Sequence, residues 1–129
     1  MHRPGRWPIL AAIVLLAACS TAKPVLNVDN YALAGAHTVD QVRTTIIAAA
    51  KKRGWVVEDA GPGTLQATID NRTHRATVSI SYTAASFSIH YVDSENLDYN
   101  GATIHRNYNR WVAHLRDDIE HELAAIAVN

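Results

Sequence analysis

His114, Asp118 and His121 recur at i, i+4 and i+7 in a stretch of helical periodicity, so a helix would carry all three on one face. Two imidazoles and a carboxylate are a ligand set that zinc accepts. At about 100° of turn per residue, however, that face lies far around from the apolar stripe of Trp111, Leu115 and Ile119. It would stand in water, without the outer partners that orient metal-bound imidazoles. A solvated helix face is therefore expected, with no metal and no cofactor. His74 falls in a turn and His90 on the polar side of a strand, and no His-Glu-x-x-His spacing joins any two.

Other groups capable of chemistry are similarly dispersed. Ser79, Ser81, Ser86, Ser88 and Ser94 alternate with apolar residues as the wet side of strands does, and no Gly-x-Ser-x-Gly elbow occurs. Asp117, Asp118, Glu120 and Glu122 belong to an exposed helix surface. Gly61-Pro62-Gly63 precedes a strand and lacks the Lys-Ser/Thr that follows a phosphate loop. The expectation is a noncatalytic interaction or structural module, with a binder of a small molecule, peptide or glycan as the alternative.

The stretch 91–111 is the least ordinary, holding three tyrosines, four asparagines, a histidine and two arginines. These types suit polar recognition at small entropy cost. Tyr91, Asn96, Tyr99, His105, Arg106, Asn107 and Arg110 are the candidate binding residues. The charge order here is also reversed: Arg106 and Arg110 open a helix whose later turns carry Asp117, Asp118, Glu120 and Glu122, against the macrodipole. Either arginine could fold back onto Asp93, Glu95 or Asp98 and pin the loop, with Asn100-Gly101 as its turn. Alternatively, the corner recognises a partner or an anionic ligand. The polar sheet face of Gln66, Thr68, Thr77, Ser79, Ser88 and His90 is the other candidate surface.

The elements that must position these residues follow from patterning. Thr38-Val39-Asp40-Gln41 is a capping box, and Val42, Ile46, Ala49 and Ala50 continue a helical stripe to Lys51-Lys52-Arg53-Gly54, a basic last turn and a C-cap glycine. This predicts a helix over 38–53. Trp55–Glu58 reads as a short strand, and Leu65–Asp70, Ala76–Tyr82 and Phe87–Val92 alternate apolar and polar as a meander does. Tyr108, Trp111, Val112, Leu115, Ile119, Leu123 and Ile126 mark a second helix over about 105–127. One apolar face per element predicts an α+β two-layer sandwich: an antiparallel meander of about four strands with two helices on one face. Trp55 and Trp111 should anchor its core or core edge.

The chain has 129 residues, 48% of them hydrophobic, with 12 basic and 12 acidic side chains. His2, Arg3 and Arg6 precede an apolar run from Ile9 to Ala18, which ends in Leu16-Ala17-Ala18-Cys19. Ten apolar residues span about 15 Å as a helix, half of a bilayer core, so residues 1–18 read as a signal peptide and not a membrane span. Without Arg3 and Arg6 ten basic residues face 12 acidic ones, a poor footprint for nucleic acid. Cys19 is the only cysteine, which excludes an intramolecular disulfide. Residues 19–34 read as a tether, with Val25–Val28 and 30–34 the places where a strand could form, and 35–129 as a single domain.

On its Leu16-Ala17-Ala18-Cys19 box the chain resembles a bacterial lipoprotein precursor. That resemblance implies acylation at Cys19, palmitate included, and cleavage before it. Ser20, where Asp would favour inner-membrane retention, implies an outer-membrane, periplasm-facing location. Partners would then be the membrane itself and an envelope protein. The runs Arg53-Gly54-Trp55, Tyr91-Val92-Asp93-Ser94-Glu95-Asn96-Leu97 and Ile104-His105-Arg106-Asn107-Tyr108-Asn109-Arg110-Trp111 are similar to a group of small, functionally uncharacterised lipoproteins of Gram-negative bacteria. This likeness implies an envelope location and no catalytic residue. A fainter likeness of architecture, to helix-grip modules of outer-membrane assembly lipoproteins, concerns fold alone.

Overall fold

The computed structural model describes residue 5 and residues 20–126; the expected signal segment 1–18, but for residue 5, and Cys19 lie outside them. The protein is α+β. Strands β1 (Ala22–Pro24) and β2 (Val28–Ala32) precede helix α1 (Val39–Lys52). Strands β3 (Trp55–Asp59), β4 (Thr64–Asn71), β5 (His74–Tyr82), β6 (Ser86–Glu95) and β7 (Thr103–His105) then lead into helix α2 (Arg106–Ile126). Among the described residues no helix is long and apolar enough to cross a membrane.

The capping box forms as its residues require. Thr38 Oγ1 accepts from the Gln41 amide at 3.0 Å, and Gln41 Oε1 accepts from the Thr38 amide at 2.9 Å. At the other end Gly54 adopts φ 90° and its amide donates to Lys51 O at 3.0 Å, closing the helix. Between β4 and β5 the turn is two residues long, with Arg72 in the left-handed region at φ 60°. Such a turn matches the strand twist and fixes register, so Leu65, Ala67 and Ile69 fall opposite Ile80, Val78 and Ala76.

The sheet is larger than the expected four strands. Five antiparallel strands run in the order β2-β6-β5-β4-β3, and β1 with β7 forms a separate two-stranded ribbon. Two of the additional strands, β1 and β2, come from the segment read as a tether. Val28 pairs with Ile89 and Tyr31 with Phe87, so β2 advances three residues while β6 advances two. The extra residue is a bulge beside Asn30, at φ 46°, and it turns both Val28 and Tyr31 toward the core. A three-residue step hides a strand from a search for strict alternation. Likewise β7 lies in what reads as polar loop, where Ile104 is the one fully buried residue of three.

Inner-face residues Leu65, Val78, Ile80, Phe87 and Ile89 form one buried cluster with Val42 and Ile46 of α1 and Tyr108, Val112, Leu115 and Ile119 of α2. Val28 belongs to the same cluster, and Val25, Leu26, Tyr31 and Leu33 pack against it. The domain therefore begins well before residue 35. Trp55 is fully buried, whereas Trp111 is half-buried at the rim.

Candidate functional site

The 91–111 corner divides in two. A second bulge falls on β6, where Val78 pairs with Tyr91 but Thr77 with Asp93, leaving Val92 unpaired and about half exposed. Beyond it the strand bends into a loop whose Asn96 and Asp98 both hold left-handed backbone, φ 57° and 54°. Bulge and loop enclose an open depression of about 630 Å³, lined chiefly by Tyr91, Asp93, Ser94, Asn96, Asp98 and Tyr99. Three of the expected binding residues, Tyr91, Asn96 and Tyr99, therefore share one site. His105, Arg106, Asn107 and Arg110 do not line it.

Tyrosine packing gives the depression its wall. The rings of Tyr91 and Tyr99 stack with centroids 4.0 Å apart, and Tyr91 meets the buried Tyr108 edge-on at 5.6 Å. Tyr91 and Ser94 hydroxyls are hydrogen-bonded at 2.7 Å, which the bulge makes possible by turning both inward. Burial pushes the Tyr91 hydroxyl above its ordinary value, against the opposing effect of Ser94. The lining offers an exposed ring for stacking and two carboxylates and an amide for hydrogen bonds.

The loop is not held by the arginines. Among the described residues neither Arg106 nor Arg110 makes an ion pair; the loop is fixed instead by Leu97, 1% exposed, and by backbone bonds. His105 N–H donates to Leu97 O at 2.8 Å, and Asn100 Oδ1 accepts from the Ala102 and Thr103 amides at 3.0 and 2.8 Å. His74 Nδ1 lies 2.6 Å from Asn96 O, and Asn96 Nδ2 donates to Thr73 Oγ1 at 2.8 Å. The physical reason is helical geometry. Positions 106 and 110 stand about half a turn from the buried Tyr108, on the solvent side of α2.

The reversed charge order is resolved elsewhere. Arg53, just past the end of α1, donates to both oxygens of Asp118 at 2.6 and 3.1 Å, and Lys52 reaches Glu122 at 2.7 Å. Tyr31 on β2 donates to Glu120 at 2.5 Å. The acidic later turns of α2 thus serve as the mooring for α1 and β2. Arg53 holds the Asp118 carboxyl below its ordinary value. Its guanidinium also lies 3.5 Å from His114 Nδ1, so a cation already stands between two members of the supposed ligand set. His121 is exposed.

Two further surfaces bear on function. On the outer sheet face, Gln66, Thr68 and Thr77 line a groove of about 390 Å³ with Glu58, Asp93 and Glu95. Its one guanidinium, Arg75, is bound to Asp70 at 2.9 Å. Two more residues of the expected polar face hold β2: Ser88 Oγ accepts from the Asn30 amide at 2.9 Å, and His90 bonds Asp29 at 2.5 Å. A slot of about 160 Å³ separates Trp55 from Trp111 beside Arg53, Asn71 and His114. Asn109 went unremarked in the sequence, yet its side chain grips the amino-terminal segment. Its Oδ1 accepts from Leu26 N–H at 2.9 Å and its Nδ2 donates to Pro24 O at 2.8 Å. Only its place in an asparagine-rich run hinted at a role.

Compared with models of known protein families, with curated proteins and with solved structures, the chain matches none.

Proposed function

We propose that the chain is a lipoprotein anchored in the outer membrane by acyl chains on Cys19, and that its domain acts in the periplasm as a noncatalytic interaction or structural module of the cell envelope. The depression at Tyr91 and Tyr99 carries the interaction reading. It combines a stacked aromatic wall with Asp93, Asn96 and Asp98 on a loop held by backbone hydrogen bonds, and a preformed surface binds without a large ordering cost. The anchor reading rests on Leu16-Ala17-Ala18-Cys19 behind a basic and an apolar segment. In the same reading the fold is a two-layer sandwich whose uncovered sheet face is open to partners.

Two experiments test the two parts. Palmitate labelling of cells producing the wild type and Cys19→Ala should mark only the former, and equal labelling defeats the anchor. Capture from detergent-solubilised envelopes should recover a partner with the wild type and lose it with Tyr99→Ala; an indifferent result removes the depression as the contact surface. A second reading, a binder of a small molecule, peptide or glycan, is favoured by the size of the depression, about 630 Å³, within the range of ligand clefts. A ligand retained on the wild type and absent from Tyr99→Ala in native mass spectra would select it.

A further inference from the structure

Thr21 already makes a contact of the folded domain. Its carbonyl accepts from the Arg106 amide at 2.8 Å, and Ala22 stands in register with His105. Only Ser20 separates Cys19 from this contact. Two steps between Cα atoms reach at most about 7.6 Å. An acyl anchor at Cys19 would therefore have no flexible tether, and the β1–β7 ribbon with the first turn of α2 would be held at headgroup depth.

The charges at this end match such a setting. Arg43, Lys52, Arg53, Arg75 and Arg116 each have a carboxylate partner. Five exposed cations have none among the described residues: Lys51 and Arg72 stand apart at the end of α1 and in the β4–β5 turn, whereas Lys23, Arg106 and Arg110 gather at the β1–β7 end. Lys23 lies on β1 opposite Ile104, two residues before Arg106. Arg106 and Arg110 share one side of α2, about 6 Å apart along its axis. Cations at a helix amino terminus oppose the macrodipole, and nothing within the domain repays that placement. An anionic surface does, each basic side chain favouring the bound state by about fivefold.

We infer that the β1–β7 end of the domain, through Lys23, Arg106 and Arg110, lies against the anionic phospholipid surface of the membrane that holds Cys19. This inference rests on the lipoprotein reading for its anchor. The test uses mature protein extracted from envelopes, reconstituted in vesicles of phosphatidylcholine alone or mixed with phosphatidylglycerol, and followed by amide exchange. Exchange over residues 21–26 and 103–110 should slow in the mixed vesicles relative to the neutral ones. The difference should vanish in Arg106→Gln/Arg110→Gln and at high salt. Equal exchange in both vesicles, or a difference that the double variant keeps, overturns the inference. Lys23→Gln, at an exposed strand position, should act in the same direction and serves if the double variant folds poorly.

Intact mass of the same preparation reads acylation separately. If the protein carries no acyl chains the lipoprotein reading fails, and sedimentation with the two vesicle types then decides the surface by itself. A preference for anionic vesicles reduced about 25-fold in the double variant, at about fivefold per cation, upholds it. Absence of preference overturns it.

Discussion

Arg53 and Asp118 join the end of α1 to the middle of α2 through two hydrogen bonds from one guanidinium to one carboxylate, 2.6 and 3.1 Å long. Because the carboxyl is held below its ordinary value of 3.8, its contribution to stability is full above that value and is lost as pH falls through the lower folded value. Asp118→Asn should therefore lower the urea midpoint near neutral pH, and the gap between variant and wild type should close on acidification below about pH 4. Both side chains are partly exposed, 44% and 30%, so the gap should be modest and shrink with salt. A gap that persists unchanged at pH 2 would refute the pairing.

The two tryptophans of the rim slot should differ. Trp55 is 2% exposed, and Trp55→Ala should cost about 3–5 kcal/mol. Trp111 is partly exposed at the rim, so Trp111→Ala should cost less. Guanidinium unfolding of both variants measures this, and equal losses would mean that the half-buried indole packs as fully as the buried one.

Helix α1, the three-strand meander and α2 were legible because each carries its own local signal: the Thr38/Gln41 box, strict alternation from Leu65 to Tyr91, and the stripe from Tyr108 to Leu123. For β2 the sequence points to possible strands at 25–28 and 30–34 but not to one strand joining them, since its three-residue step between Val28 and Tyr31 exists only against β6. Strand β7 was not legible, since three residues give no period and pairing with β1 depends on residues about 80 positions away in sequence. The same division holds at the site. Tyr91, Asn96 and Tyr99 are brought together by a bulge and two left-handed residues, which composition could indicate but not place. Arg106 and Arg110 do not pin the loop because they stand on the solvent side of α2, about half a turn from the buried Tyr108, while Leu97 and backbone bonds hold it.

Tyr108 is fully buried, and its hydroxyl has no hydrogen-bond partner among the described residues. Burial pushes that hydroxyl far above its ordinary value of 10.0. The folded state thus prefers the protonated phenol, and stability is full below about pH 10 and falls as pH rises beyond it. Tyr108→Phe removes an unsatisfied group at nearly constant shape. It should be neutral or stabilising by about 1 kcal/mol at pH 7 and should flatten the alkaline decline. Thermal unfolding between pH 7 and 11 is the check, and a clear destabilisation at pH 7 would show that the hydroxyl has a partner.

Asn109→Ala should release the amino-terminal strands without unfolding the meander. Losing two backbone bonds from one amide leaves the Leu26 N–H and Pro24 carbonyl unpaired, a cost of about 1–2 kcal/mol. Amide exchange should rise at Leu26 and over β1 while β4 and β5 stay protected. Asn109→Asp keeps the acceptor for Leu26 and should restore protection there in part.

Strands β1 and β2 come early in the chain, yet their partners β7 and β6 come late. A chain that emerges from its amino end must therefore wait for β6, about three quarters of the way along, to pair Val28 and Tyr31, and for Ala102 and Asn109 later still to hold Val25 and Leu26. The meander, closed by short turns, can assemble early, whereas the amino-terminal strands complete the structure only after long loops have closed. Such an order keeps the first segment available, in extended form, to whatever machinery handles it before the domain shuts.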